Sequence, residues 1–458
     1  MKRRIEMLIA AGLLASSVVH AQPGAGQTGA AEQGGGGASA AEATGERLTL
    51  VQCLQIALKN RPALAAARAR VAAARAGVRA QEGRQIPSLT GTWSWNKSET
   101  VPRVTRLTGG VIRTTSGTVI SREASVGVDL TLYQTGLRES INAAREDEKA
   151  SVCELADTER TLLQQVAELY YTCLADRRLV EVRAEGVRTA LRHLEMVDAR
   201  IEAGTAAKSD RLPVEVELAQ ARLLAVQAES ALRKDLANLR AALGLKTEDL
   251  PRLAEALAVP TFSADLQELA TLALENRADL RAQKHSLASL KWTLRQAELN
   301  ARFSAAVNAH GEYGRYTEGA EGKSWWFGIN ATLPFFRQET RAEVERAKAE
   351  LQRAQHSLAE AELQVLQEVE QAYLALTEAR ARIEEASKSL EAARQNLQIA
   401  EERYQAGVAN IIEVTDAEQS VREAEAQYVQ AVYDYNIARV RVLSAAGTNL
   451  LESLGGGQ

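Results

Sequence analysis

Ser125-Val126-Gly127-Val128-Asp129-Leu130-Thr131-Leu132 places an apolar residue at every second position and a small or polar one between. Successive side chains of a strand point to opposite faces, so this stretch has one apolar and one polar side. Three more stretches repeat the pattern. Trp326 aside, Phe327-Gly328-Ile329-Asn330-Ala331-Thr332-Leu333 alternates in the same way. Leu89, Gly91, Trp93 and Trp95 alternate with Ser88, Thr90, Thr92, Ser94 and Asn96, and Ala305, Val307, Ala309, Gly311 and Tyr313 alternate with Ala306, Asn308, His310, Glu312 and Gly314. Strands are predicted at 88–96, 123–133, 303–314 and 325–333. At about nine to eleven residues each, with aromatics near their ends, they match transmembrane β-strands. A soluble two-layer sheet would alternate likewise, but nothing else in the chain is built to cover that apolar face.

Lipid imposes closure, because an unpaired strand edge cannot be left in hydrocarbon. Four strands cannot close a barrel, for which about eight is the practical minimum. Strands from several chains must therefore be shared, eight from two copies or twelve from three. The polar face would line the lumen, which assigns Asp129, Asn308, His310, Glu312 and Asn330 to water, and the polar loops 97–120 and 318–323 would face outside. Aromatic residues follow the same division. Of 20 in the chain, 11 fall within 88–135 and 303–336, together with four of the five tryptophans.

Between these windows the sequence is helical. Proline is missing from 103–212 and from everything after Pro334, so two long stretches carry no helix breaker. Long helices are predicted at 137–203 and 338–406, each ended by a glycine (Gly204, Gly407) placed as a left-handed C-cap. At 1.5 Å per residue each is about 100 Å long. Medium helices follow at 208–243 and 411–446, and leading helices precede the strands at 50–82 and 266–300. A leading and a medium helix together match a long one, so they can stack end to end beside it.

The two series are copies. Ala57-Leu58-Lys59-Asn60-Arg61-Pro62-Ala63-Leu64 returns as Ala273-Leu274-Glu275-Asn276-Arg277-Ala278-Asp279-Leu280. Later, Val166 pairs with Val369, Tyr170 with Tyr373, Arg200 with Arg403, Ala203-Gly204 with Ala406-Gly407, and Gly244 with Gly447, all in one register. The organisation read from this is repeat 1 over 47–245, a connection over 246–265, repeat 2 over 266–447 and a tail over 448–458.

Ahead of repeat 1, Lys2, Arg3 and Arg4, the apolar Met7–Ala15 and the Val19-His20-Ala21 cleavage pattern read as a signal peptide over 1–21, which predicts export. The residue directly after that site is Gln22 and not a cysteine, so lipid attachment there is not expected. Residues 22–46 form a lead-in, eight glycines and seven alanines of which lie in 22–45, too poor in apolar side chains to bury a core. The odd count of three cysteines gives no disulfide framework, and a net charge of −4 argues against a nucleic-acid partner. Phosphate loops, dinucleotide glycine motifs, zinc-binding His-Glu patterns and nucleophile elbows are missing, so neither catalysis nor a cofactor is expected. Three of the four later histidines, His193, His285, His310 and His356, are expected at helix surfaces, and Cys53, Cys153 and Cys173 as small buried hydrophobes.

This duplicated helix–β-hairpin–long helix–medium helix unit resembles the TolC-like outer-membrane efflux duct family. The most specific segment is Arg403-Tyr404-Gln405-Ala406-Gly407 followed by Ile411-Ile412-Glu413-Val414-Thr415-Asp416-Ala417-Glu418. Ile56-Ala57-Leu58-Lys59-Asn60-Arg61, Leu272-Ala273-Leu274-Glu275-Asn276-Arg277 and Val429-Gln430-Ala431-Val432-Tyr433-Asp434-Tyr435 add to it. The resemblance covers about 47–447. It implies a homotrimer in which a twelve-stranded outer-membrane β-barrel continues as a twelve-helix periplasmic α-barrel. It also implies docking at the Gly204 and Gly407 turns onto a periplasmic adaptor and an inner-membrane pump. Glu413 and Asp416, three apart at a helix start, oppose the macrodipole whatever else they do. The family's constriction pattern falls on them, so threefold symmetry would make a ring of six carboxylates that favours cations. Asp210, the repeat mate of Glu413, and Tyr404 are implied to form inter-helix hydrogen bonds closing the tip. Ala409 replaces a basic latch residue of some members, which argues against a salt-bridged latch. The competing reading is a periplasmic coiled-coil or adaptor protein, but an adaptor would show one helical hairpin flanked by soluble β domains.

Overall fold

The computed structural model describes residues 47–100, 104–107, 110–113, 117–204, 207–246, 252–254, 259–260, 262–315, 321–332, 338–406, 408 and 411–455. The predicted signal peptide and lead-in, Gly407, Ala409 and the segment 333–337 lie outside them, as does the side chain of Asp210.

In chain order the elements are α1 (Leu50–Asn60), α2 (Pro62–Gly83), β1 (Ser88–Thr100), β2 (Val104–Leu107), β3 (Gly110–Arg113), β4 (Gly117–Gln134), α3 (Leu137–Glu202), a 3-10 turn (Lys208–Asp210) and α4 (Arg211–Leu243). There follow α5 (Leu266–Asn276), α6 (Ala278–Arg302), β5 (Ser304–Arg315), β6 (Glu321–Thr332), α7 (Gln338–Gln405), α8 (Ile411–Ala445) and α9 (Leu450–Gly455). The 66 residues of α3 and 68 of α7 make helices of about 100 Å.

Four expectations are corrected. Neither leading helix is continuous. The first breaks at Arg61, where Pro62 at the first position of α2 forces extended backbone on its predecessor (ψ 120°). The second breaks at Arg277 without a proline, held extended (ψ 127°) by an ion pair from the buried guanidinium to the partly exposed Asp279 at 2.7 Å, while Asp279 Oδ1 accepts the Leu280 N–H at 2.9 Å. The predicted loops are partly strand. β1 runs on to Thr100, β4 begins at Gly117, and β2 pairs with β3 as a second, two-stranded sheet between them; β6 begins at Glu321. The tail contains a helix, α9, which packs on α1, α3 and α8. Finally, His193 is not at the surface but only 5% exposed.

The main sheet has the order β1-β4-β5-β6, antiparallel throughout, with β1 and β6 at its edges. The register pairs Val126 with Gly91 and Tyr313, and Ile329 with Val307, so the apolar positions of all four strands share one face. That face is bare: Leu89, Trp93 and Trp325 are 73%, 74% and 83% exposed. A bulge between Thr131 and Tyr133 inserts Leu132 unpaired into β4. Both Leu132 and Tyr133 are exposed, and Tyr133 pairs with Val307 of the apolar face. Gly136 then turns the chain from β4 into α3 at φ 78°, where an added Cβ would lie 2.8 Å from Gln296 Cγ.

Long helices are the frame against which the others pack. α1, α2 and α4 lie on α3; α5, α6 and α8 lie on α7; and α3 touches α6 and α8. The main core gathers at mid-helix, where Val166, Ala167, Tyr170, Cys173 and Leu174 of α3 meet Cys53, Leu54 and Ala57 of α1 and Leu239 and Leu243 of α4. Tyr170 hydrogen-bonds the carbonyls of Ala254 (2.8 Å) and Leu48 (3.3 Å), pinning the parallel bridge between Leu48 and Leu253. A second core joins α5, α7 and α8 around Val365, Val369 and Leu376. Cys53 and Cys173 are fully buried thiols, both pushed up to about 12 by burial, while Cys153 is half-buried.

Candidate functional site

The expected constriction residues lie at the helical ends remote from the sheet. Gly204 ends α3 at φ 70°, its N–H donating to the Ile201 carbonyl at 3.0 Å, with open space where a Cβ would stand. Its repeat mate Gly407 is outside the described residues. Glu413 sits in the first turn of α8. The structure adds a partner to it: Arg403, near the end of α7, meets its carboxylate at 3.2 Å across the turn. With both side chains about half exposed, the pair is worth roughly 0–1 kcal/mol and orients more than it stabilises. Asp416 is exposed, and among the described residues it makes no ion pair.

Tyr404 and Asp210 are not shown together, because the Asp210 side chain is outside the description. Tyr404 instead ties α7 to α3. Arg200 Cζ lies 4.8 Å from its ring centroid, and its hydroxyl reaches Met196 Sδ at 3.9 Å. Beneath it Val414 and Ala417 of α8 bury against Ala400 and Leu397 of α7. The tie described at Tyr404 combines this cation–π contact, the hydroxyl–sulfur contact and apolar packing.

The five polar strand residues do share a face. Asp129 pairs with His310, Gly127 with Glu312, Thr131 with Asn308 and Ala306 with Asn330. His310 Nδ1 lies 2.6 Å from Asp129 Oδ1, and its Nε2 lies 3.8 Å from Glu312. Trp326, opposite His310 in the register, stacks on it at 5.8 Å between ring centroids, so this one tryptophan belongs to the polar side.

A further group was not foreseen. His193 of α3 lies roughly 16 Å along the helix from Gly204. Its Nε2 is 3.2 Å from Glu418 of α8, and its Nδ1 is 3.8 Å from Glu217 of α4, too far for a hydrogen bond. Arg422 of α8 bridges the same carboxylates, at 3.2 Å to Glu217 and 3.4 Å to Glu418. Glu217 and then Glu418 hold the imidazole up at about 9 against the opposing effect of burial. In turn His193, with help from Arg422, keeps Glu217 below the usual carboxylate range despite its partial burial. The lone sequence signal was a histidine inside an otherwise ordinary helical pattern. Elsewhere His285 meets Glu146 at 2.8 Å and His356 is exposed. Among the described residues no group of three or more His, Cys, Asp or Glu is placed to hold a metal, and no helix is long and apolar enough to cross a membrane.

The described fold matches solved outer-membrane channels. The CmeC outer membrane channel of Campylobacter jejuni superposes with a TM-score of 0.76 at 18% identity, over 87% of this chain and 85% of that one. The MtrE outer membrane channel of Neisseria gonorrhoeae, solved in its open state, gives 0.74 at 21% identity over 88% and 89%. By sequence, the solvent efflux pump outer membrane protein SrpC of Pseudomonas putida is 26% identical over 318 residues, 65% of this chain; the chain spans 64% of that relative's length. The family model of outer membrane efflux proteins matches residues 53–245 and 269–448, one segment for each helix–hairpin–helix series. The chain belongs to the outer membrane efflux protein family.

Proposed function

We propose that this chain is the outer-membrane exit duct of a tripartite efflux or type I secretion system. Three copies would pool their four-stranded sheets into a twelve-stranded barrel and their helices into a periplasmic tube. A periplasmic adaptor docks at the turns that the sequence places at Gly204 and Gly407, and an inner-membrane pump supplies substrate and energy. The duct itself conducts passively. The single observation that carries this reading is the sheet, apolar and bare on one face and, among the described residues, unpaired at both edges, with helices far longer than a globular core needs. Water with lipid outside explains the two faces together, and oligomeric closure explains the edges.

Glu413 and Asp416 of three copies would ring the periplasmic end, with Arg403 offsetting part of the Glu413 charge. Asp416 then carries most of the cation preference. In planar bilayers, Asp416→Asn should lower cation over anion permeability more than Glu413→Gln does, and the double variant should lower it furthest. Reversal potentials in a salt gradient measure this; unchanged selectivity in the double variant sinks the ring.

A further inference from the structure

We propose that His193, Glu217, Glu418 and Arg422 form a proton-operated clamp inside each chain: with the imidazole charged the two helical hairpins are held together, and with it neutral they part. Four observations support it. The first is placement. His193 lies on α3, Glu217 on α4, and Glu418 and Arg422 on α8, so the cluster joins the α3–α4 hairpin to the α7–α8 hairpin.

The second is charge count. Two carboxylates meet one guanidinium, so the group is neutral only when His193 carries the second positive charge. Neutral imidazole keeps one N–H, and whichever nitrogen loses its proton turns a lone pair toward a carboxylate, Glu418 at 3.2 Å or Glu217 at 3.8 Å. With His193 5% exposed, little water is at hand to screen that repulsion. Groups on the neighbouring elements do not replace the lost charge. On α3 itself Arg188 and Arg192 pair outward with Glu185, and among the described residues α7 contributes no ion pair to the cluster.

The third is fit. Gly186 of α3 lies against the Arg422 stem, where a Cβ would come within 3.1 Å of Arg422 Cδ, so the guanidinium reaches across because that position is small. The fourth is asymmetry. In the register that pairs Gly204 with Gly407, His193 corresponds to Asn396, Glu217 to Ser420 and Arg422 to Ala219, and Glu418 alone keeps its type, at Glu215. The pseudo-equivalent positions thus lack the imidazole, the guanidinium and one carboxylate, so the cluster is no by-product of duplicated helix packing.

The pH at which the clamp acts follows from the same contacts. A pKa raised to about 9 keeps His193 charged at neutral pH, and its contribution is lost as pH rises through that value. That release also widens a conduit is a consequence that rests on the proposed duct. Two readouts on the purified full-length protein keep the questions apart. Nitroxides at Glu195→Cys on α3 and Glu423→Cys on α8, both exposed positions, with Cys153→Ser to remove the half-buried thiol, report the hairpin separation. The distance distribution should be narrow at about pH 7 and broaden to longer values at about pH 10. His193→Gln should be broad at both, and His193→Lys narrow at both. Should the His193 variants fail to fold, Glu217→Gln leaves one carboxylate to the one guanidinium, so the group is neutral with an uncharged ring and the distribution should stay narrow at about pH 10. A parent protein unmoved by pH, or a Glu217→Gln protein that titrates like its parent, overturns the clamp. Single-channel conductance across the same pH range is the second arm. A distance change without a conductance change leaves the clamp standing and refutes its place at the mouth of a duct.

Discussion

Arg277 shows how one backbone requirement is met in two ways. Both repeats need the chain to leave a helix and start another at once, and repeat 1 achieves it with Pro62. Repeat 2 has Ala278 there and relies on side-chain chemistry: a guanidinium 4% exposed, bonded to Asp279 at 2.7 Å and to Glu368 of α7 at 2.6 Å. Burial alone would raise Asp279, but the hydrogen bonds and charge of Arg277 outweigh it and hold the carboxyl below its usual range. A carboxyl whose folded pKa is lowered adds stability above its unfolded value, about 3.9, and loses that contribution as pH falls through the folded value. Asp279→Asn should therefore cost about 1–3 kcal/mol near neutral pH, because it weakens the partner of a buried cation. Thermal inactivation in detergent near pH 7 and again at acid pH, where the penalty should shrink, checks both size and sign. An equal penalty at the two pH values would mean that the Asp279 charge is not what holds the break.

At the scale of elements, the sheet allows a register test with internal control. Ile329 and Asn330 are neighbours on β6, both exposed, and alternation puts them on opposite faces. An arginine on the lipid side of a barrel costs about 2–4 kcal/mol near the bilayer midplane, whereas the lumen tolerates it. Ile329→Arg should thus reduce the yield of heat-resistant oligomer in the membrane fraction, and Asn330→Arg should assemble as the parent does; similar yields would show that the faces are misassigned. The division into an apolar and a polar face was legible in the sequence because a strand with two unlike surroundings carries a two-residue period in hydrophobicity, and the register keeps that division. That signal stops where the alternation stops. Beyond Asn96 the strand continues through Lys97, Ser98 and Glu99, whose polarity says nothing about pairing, so β1 was read short. The bulge at Leu132 was illegible because an inserted residue changes register without changing composition. Likewise the break at Arg277 carries no proline. The His193 cluster has its partners on two other helices, so no spacing along the chain could announce it.

For the whole molecule, what decides the architecture is what β1 and β6 lack. Among the described residues each is paired on one side only, and in the proposed barrel another copy would supply the missing neighbours of the two free edges. In the proposed oligomer the contact would join unlike edges, β6 of one copy to β1 of the next, and would therefore be head-to-tail. Such interfaces close into a ring when the rotation per copy divides a full turn, and otherwise grow without limit. Closure can be counted by disulfides. Asn330→Cys on β6 is combined in turn with Ser88→Cys, Thr90→Cys, Thr92→Cys or Ser94→Cys on β1, all on the polar face, and mild oxidation follows in the membrane. One register should cross-link, and non-reducing gels should show a ladder that ends at three chains, giving twelve strands. A ladder ending at two would specify eight strands and a much narrower lumen, and a ladder without an end would mean open growth in place of a ring. If none of the four pairs cross-links while the protein sits in the outer membrane, the edges are covered by something other than a second copy, and the shared barrel is refuted.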